Sequence, residues 1–322
     1  MAETMRAAVP DGSGSVEIVA VPVPEPGAGE VLVRVEAAGM NRADLLHARG
    51  NYAQAMRTAT AGNTAGMEFA GTVVVLGDEV DSRLLGTRVM AMFPGAYADY
   101  VAAPAALLLP SPAALSPHEC AALPMGLLTE FDALRSLAGI AEGERVLVTG
   151  AASGVGLIGI QLARLLGAGF VAATTRDPGN DALLTGLGAD AVLHEVAELP
   201  ELPGIDVVID HVGGAWCEAV PRVLANSARV VSVGRLGGRK ATLDLAAFSA
   251  KRATLLGTTW KTRGVAEVAG CVRAVLAAGA TGVRAVIAER HALTGIATAY
   301  RKLASDRAAG KLLIIPQRTE EV

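Results

Sequence analysis

The sequence predicts an α/β protein in which a doubly wound parallel sheet is inserted into a mostly β domain. Three observations predict it. First, Arg145–Gly159 reads RVLVTGAASGVGLIG, an apolar strand running into a glycine-rich turn and straight out into a helix. Second, apolar strands and helical stretches alternate from there to Gly257, the pattern of a parallel sheet covered on both faces. Third, strand-like patterning flanks this region on both sides, so the first and last segments are expected to share one domain.

In chain order, Met5–Pro104 reads as mostly strands. Val31, Val33 and Val35 alternate with Leu32, Arg34 and Glu36, the period-2 signature of a strand with one face inward. Phe69–Leu76 and Arg88–Met92 are short apolar runs bounded by Gly, Asp and Pro. Pro104–Pro117 is rich in Pro and Ala and reads as a crossing segment. Strands are then expected at Arg145–Thr149, Phe170–Thr174, Ala191–Leu193, Asp206–Asp210, Arg229–Val233 and Ala253–Gly257. In the tail, helices at Val265–Ala278 and Thr294–Ala308 flank a short strand, and Lys311–Ile315 is the last strand. The boundaries that follow are 1–118 plus 260–322 for the discontinuous β-rich domain and 119–259 for the inserted one.

The glycine-rich turn carries the first chemical implication. Gly154, Gly156 and Gly159 lack a Cβ, so the backbone can turn tightly and approach a ligand closely. The helix that follows, Val155–Leu166, is apolar nearly all round, with Gln161 and Arg164 as its main polar breaks. Unpaired N–H groups at the start of such a helix suit a pyrophosphate. Strand before, helix after and further strands downstream supply the context that a dinucleotide fingerprint needs.

The end of the second strand separates the two nicotinamide cofactors. An NAD site places Asp or Glu there to accept from the ribose 2′-hydroxyl. This chain has Thr174, Thr175 and Arg176 instead, which can hydrogen-bond a 2′-phosphate that a carboxylate would repel. NADPH is therefore expected ahead of NADH. Asp177 is placed to pair with Arg176, and a solvated loop charge is the plainer reading of that arginine.

Composition excludes other classes. The chain has 322 residues, enough for two domains, with a formal net charge of −4 and no basic surface for nucleic acid. Rings make up only 3% of it, so Ala, Val and Leu must fill the core. No apolar run reaches the roughly 20 residues needed to cross a bilayer. The start, MAETMRAAVP, lacks the layout of a secretory signal. Cys120, Cys217 and Cys271 form no CxxC pair and read as free thiols in a reducing cytoplasm.

Several stretches together resemble the medium-chain dehydrogenase/reductases, in particular the zinc-free quinone-oxidoreductase branch near the enoyl reductases of polyketide assembly. They are Val31–Tyr52, Gly66–Gly77, Gly95–Val101, the fingerprint, Leu187–Leu193, Ile209–Gly214 and Gly310–Pro316. The resemblance implies a Rossmann sheet inserted into a GroES-like catalytic domain, with nicotinamide and substrate in the cleft between them. It implies that the phosphate-cradling amides belong to Ser153, Gly154, Val155 and Gly156, with Gly159 serving only close helix packing. It also brings Thr129, the loop Gly234–Gly237 and the pair Thr258–Thr259 near the cofactor.

The resemblance also marks departures. Zinc-dependent relatives use Cys and His ligands, and the corresponding positions here are Asn41 and Met67, next to Glu68. The five histidines, His47, His118, His194, His211 and His291, are scattered without ligand spacing and read as surface or loop residues. Without a Lewis acid, oxidation of an alcohol is difficult, so reduction of an activated acceptor is expected. Leu46 stands where many relatives carry an aromatic ring, Ala53–Ala65 lacks their prolines, and Asn180 replaces a Lys or Arg.

Quinones and α,β-unsaturated carbonyls accept hydride because charge spreads onto oxygen, where hydrogen-bond donors suffice. Tyr52 matches a cleft tyrosine of the family, and as a phenol it can donate at neutral pH; packing at a loop edge is its alternative reading. Asn41 matches a residue that approaches nicotinamide and substrate, against a local turn role after Gly39. Thr129 is open between a cofactor hydroxyl and a helix-interior threonine. Asp44 is expected to cap a helix or pair with Arg42 or Arg49. The expectation is an NADPH-dependent, zinc-independent reductase of quinones or enones; a nucleotide-binding, non-catalytic member of the branch is the alternative. A homodimer joined near Ala253–Gly257 is expected from the resemblance alone.

Overall fold

The structure is a computed structural model and describes residues 3–50, 56–58, 62–305 and 309–316. Tyr52 lies outside the described residues. The chain divides into two compact units, Met1–Met125 with Trp260–Val322, and Gly126–Thr259.

The first unit opens with β1 (Thr4–Pro10) and β2 (Val16–Pro22), an antiparallel pair. Strand β3 (Glu30–Gly39) follows, then helix α1 (Arg42–Ala48) and strands β4 (Glu68–Leu76), β5 (Arg88–Met92), β6 (Tyr100–Pro104) and β7 (Leu109–Pro110). Strand β3 is the spine of the larger sheet, pairing antiparallel with both β4 and β6. Val31, Val33 and Val35 are buried as expected, but so is Leu32, while Arg34 and Glu36 on the same face as Leu32 are half-buried. A short helix, α2 (Pro117–Ala121), starts at Ser116, whose hydroxyl accepts from Glu119 N–H while the Glu119 carboxylate accepts from Ser116 N–H. This reciprocal capping box fixes where the helix begins.

Helix α3 (Pro124–Phe131) leads into the second unit and passes directly into a π-helical turn, Asp132–Leu137. The unit's elements are β8 (Arg145–Val148), α4 (Gly156–Leu165), β9 (Phe170–Thr174), α5 (Asp181–Gly186), β10 (Ala191–Leu193), β11 (Ile205–Asp210), α6 (Gly214–Ala219), β12 (Leu224–Ser232), α7 (Leu245–Ala250) and β13 (Thr254–Gly257). The six strands make one parallel sheet in the order β10-β9-β8-β11-β12-β13. The expected strands at Phe170–Thr174 and Ala191–Leu193 are found with the same limits, while β12 begins five residues before the expected Arg229. One face packs through Leu147, Ala172, Val208 and Val230, all buried. Each such Val or Leu contributes about 1.5–3 kcal/mol by leaving water. The strand order reverses between β8 and β11, and in sheets of this kind a ligand crevice forms outside the carboxyl ends at that point.

The chain then returns to the first unit with α8 (Val265–Ala277), β14 (Ile287–Ala292), α9 (Ile296–Ser305) and β15 (Lys311–Ile315). Strand β15 joins the large sheet beside β3, with Leu313 opposite Gly39 and Ile314 opposite Ala38. Among the described residues, no helix is long and apolar enough to cross a membrane.

Candidate functional site

In the second unit the site is built from the switch point outward. Thr174, at the end of β9, accepts from Gly150 N–H through its hydroxyl at 2.9 Å, and its carbonyl accepts from Ala151 N–H at 2.8 Å. These bonds pin the glycine turn onto the sheet. Val155 occupies the position that starts α4 and provides no side-chain cap, while Ser153 Oγ accepts from Gly156 N–H at 3.1 Å. Gly156 has no room for a side chain: a Cβ would lie 2.7 Å from Ala151 Cα and 2.9 Å from the Gly150 carbonyl oxygen. The turn can take its shape only with glycine there.

At the end of β9, Thr175 is buried and Arg176 is exposed. The Thr175 hydroxyl accepts from Asn180 Nδ2 at 3.2 Å and from Asp177 N–H at 3.3 Å. The Asp177 carboxylate is used locally, accepting from Gly179 N–H at 2.9 Å. His194 turns its Nδ1 to the Thr175 carbonyl at 3.1 Å.

The loop after β12 approaches β11 closely. Gly234 N–H donates to the Asp210 carbonyl at 3.0 Å, and a Cβ on Gly234 would fall on the His211 carbonyl, 2.9 Å from its carbon. The Asp210 carboxylate organises the facing turn, accepting from Thr149 Oγ1 at 2.7 Å, Val212 N–H at 2.9 Å and Gly213 N–H at 3.0 Å. A hollow of about 80 Å³ opens beside these strand ends, lined in part by Gly213, Gly214, Ser232 and Arg235. Thr129 is buried on α3. Thr258 donates to Asp132 Oδ2 at 3.2 Å, joining the chain after β13 to the π-helical turn. π-Turns of this kind recur at functional sites.

One sequence-based reading needs correction here. His211 is neither a surface nor a free loop residue but is buried, with Nε2 2.6 Å from Glu130 Oε1 and Nδ1 2.8 Å from the Thr149 carbonyl. Burial opposes its charge, yet the Glu130 carboxylate outweighs this and moves its pKa upward. Its two ring nitrogens thus face the Glu130 carboxylate and the Thr149 carbonyl. Gly159 lets α4 pack closely on α3, because a Cβ there would collide with the Glu130 carboxylate.

In the first unit, the candidate residue Asn41 lies at the start of α1, and its side chain turns away from the local backbone. Asn41 Nδ2 donates to Glu68 Oε1 at 2.8 Å, while Lys311 Nζ donates to Asn41 Oδ1 at 2.5 Å and also to Glu68 Oε1. Glu68 Oε2 accepts from Met125 N–H at 2.7 Å. The cation fixes the amide oxygen on its own side, so the amide's remaining N–H is available to donate. Asp44 caps α1 as expected, accepting from Asn41 N–H at 2.7 Å. Its other partner is an unexpected one, the Tyr97 hydroxyl at 2.7 Å. Full burial pushes the Asp44 carboxyl up to about 7 despite these donors.

The sequence reading missed Glu68, Lys311, Tyr97 and Glu130. Lys311 carried a signal: a lone charge opening the apolar strand KLLII of β15, where it is almost wholly buried. Glu130 carried less, being one carboxylate in an apolar helix.

Two family models match the chain: the alcohol dehydrogenase GroES-like domain over residues 27–113 and the zinc-binding dehydrogenase over residues 154–287. An alcohol dehydrogenase from Pyrobaculum aerophilum, solved with cobalt and zinc bound, is 30% identical, with a TM-score of 0.80 over 98% of this chain and 100% of that one. The chain belongs to the medium-chain dehydrogenase/reductase family. Among its relatives, prostaglandin reductase-3 of Bos taurus is 33% identical over 71% of this chain; the match spans 61% of that protein's length. A mycobacterial quinone oxidoreductase superposes with a TM-score of 0.81 at 26% identity over 98% of this chain and 100% of that one. A mycobacterial structure complexed with NADPH does so at 0.80 and 26%, over 97% and 100%.

Zinc is implied by one family description, and the residues of this medium-chain dehydrogenase/reductase do not fit it. Structural and catalytic zinc takes thiolate, imidazole or carboxylate ligands. Here the relevant positions hold the Asn41 amide, the Met67 thioether and a Glu68 carboxylate already bound to an ammonium. A divalent ion would be repelled by Lys311 at this site. NADPH does fit, through the side-chain-free turn at Gly156 and the Thr175–Arg176 pair.

Proposed function

We propose that this chain is an NADPH-dependent reductase of a conjugated acceptor, a quinone or an α,β-unsaturated carbonyl, working without a metal ion. The observation that carries the reading is the Lys311–Asn41–Glu68 cluster of the first unit, and the side-chain-free turn at Gly156 of the second unit supports it. That cluster provides a charged hydrogen-bond site where the family's metal-dependent members need ligands. Ser153, Gly154, Val155 and Gly156 would hold the pyrophosphate, while Thr175 and Arg176 would take the 2′-phosphate. Thr129, Gly234 and Thr258 would line the nicotinamide side.

When bound, NADPH supplies the hydride. The chain's own part is to hold the acceptor oxygen and stabilise its growing negative charge. Asn41 does so with the N–H left free by Glu68, and Lys311 behind its carbonyl polarises the amide toward donation. Tyr52 would deliver a proton or a second hydrogen bond. The homodimer is retained as part of this proposal, with β13 as the joining edge. Static light scattering that finds a monomer at micromolar concentration removes it.

The test is a panel of quinones and enones with NADPH, run beside a fluorescence titration of the cofactor. Tight binding and cofactor oxidation with at least one acceptor class are expected. Binding with no turnover on any acceptor would favour the non-catalytic alternative, and no binding at all would overturn both.

A further inference from the structure

Glu130 is a buried carboxylate with one hydrogen-bond partner and no role in the reading above. Its Oε1 meets His211 Nε2 at 2.6 Å, and its Oε2 has no partner among the described residues. That second oxygen lies against α4 at Gly159, where a Cβ would fall on it and 3.0 Å from the carboxyl carbon. His211 in turn is held by the Thr149 carbonyl, and its own N–H donates to the Thr149 hydroxyl oxygen at 2.9 Å. Its carbonyl occupies the space that a side chain on Gly234 would need. One carboxylate therefore touches, directly or through one imidazole, three parts of the dinucleotide cradle: the helix α4, the turn after β8 and the Gly234 loop after β12.

A buried charge with a single partner is costly, and an apolar side chain of that size would pack without the penalty. What the carboxylate–histidine pair adds is direction, because a charge-assisted hydrogen bond holds both distance and orientation. We propose that Glu130 is a positioning residue for the dinucleotide cradle, locking α4 and the Gly234 loop in register through Gly159 and His211. The proposal rests on the reading that this unit binds NADPH. It also gives the third fingerprint glycine a stated purpose, which is to admit the Glu130 carboxylate.

The experiment combines NADPH titration, steady-state kinetics and thermal unfolding for Glu130→Gln, Glu130→Ala, Gly159→Ala and the Glu130→Ala/Gly159→Ala double variant. Loss of the charged bond is expected to weaken NADPH binding about tenfold in Glu130→Ala and less in Glu130→Gln, which keeps the shape. The KM for NADPH should rise in step, with a smaller change in kcat at saturating cofactor. Gly159→Ala should match Glu130→Ala by displacing the carboxylate, yet add nothing in the double variant, where the colliding group is gone. A lowered unfolding temperature with unchanged Kd and KM would assign Glu130 to stability alone and overturn the proposal. Should Glu130→Ala fail to fold, Glu130→Gln and Gly159→Ala decide the matter by the same criterion. Wild-type protein that does not bind NADPH would instead overturn the functional reading itself.

Discussion

Lys311 Nζ stands 2.5 Å from Asn41 Oδ1, and the Glu68 carboxylate that shares this ammonium is itself fully buried. Removing one member of a buried pair leaves the other charge without compensation, at about 3–5 kcal/mol. Lys311→Met is therefore expected to lower the unfolding free energy by about that amount. Adding Glu68→Gln should recover much of it, since no charge then stays unpaired. Urea denaturation of the two single variants and the double reads this directly. Additive losses would mean that the two side chains are not coupled.

Asp44 is expected to make stability fall as pH rises through the weakly acidic range. Its carboxyl is moved from 3.8 to about 7 by burial, so between these values the folded chain keeps a proton that the unfolded chain has released. Stability is highest below the lower value, declines up to about pH 7 and is level above it; at about 1.4 kcal/mol per pKa unit the full span is about 4 kcal/mol. Asp44→Asn cannot titrate. The difference in stability between wild type and this variant, measured from pH 4 to 8, should carry that slope, and a flat difference would contradict the assignment.

Gly156→Ala is expected to damage both folding and cofactor binding. A methyl group there meets backbone atoms of Gly150 and Ala151, which cannot swing aside as a side-chain tip can. Overpacking of this kind costs about 1–3 kcal/mol, and the displaced turn should bind NADPH at least about tenfold more weakly. Thermal unfolding and titration on the same sample separate the two effects. Wild-type affinity in this variant would remove the turn from the cofactor site.

Arg176→Glu tests cofactor choice. A carboxylate in place of the exposed guanidinium would repel a 2′-phosphate and accept from a 2′-hydroxyl. The ratio of kcat/KM for NADPH over NADH is expected to fall by at least about tenfold. An unchanged ratio would leave Arg176 as a solvated loop charge.

Chelator treatment tests the metal. The Asn41 amide, the Met67 thioether and the ammonium-bound Glu68 carboxylate are poor zinc ligands. Prolonged dialysis against EDTA should leave acceptor reduction unchanged, and elemental analysis should find far less than stoichiometric zinc. Activity that disappears and returns with zinc would overturn metal-free chemistry.

Local signals carried much of this reading. Strand β8 and the glycine turn were legible because an apolar strand, side-chain-free backbone and an apolar helix follow one another within fifteen residues. The doubly wound pattern was legible for the same reason, strand by strand. His211 was misread because its neighbours in sequence, Asp210 and Val212, say nothing of Glu130, which is 81 positions away. Leu32 was misread because period-2 alternation assigns a whole face and cannot report that one residue of the outer face is covered while Arg34 and Glu36 stay half-buried.

The sequence by itself determined the family, the glycine turn between strand and helix, and the absence of thiolate and imidazole at Asn41 and Met67, since each depends only on residue types at short spacing. Only the tertiary structure decided what stands there instead. Leu313 opposite Gly39 in an antiparallel pair brings Lys311 level with Asn41, although 270 positions separate them along the chain. Strand register is a property of the folded sheet, and hydrogen bonds a few ångströms long exist only once that register is set.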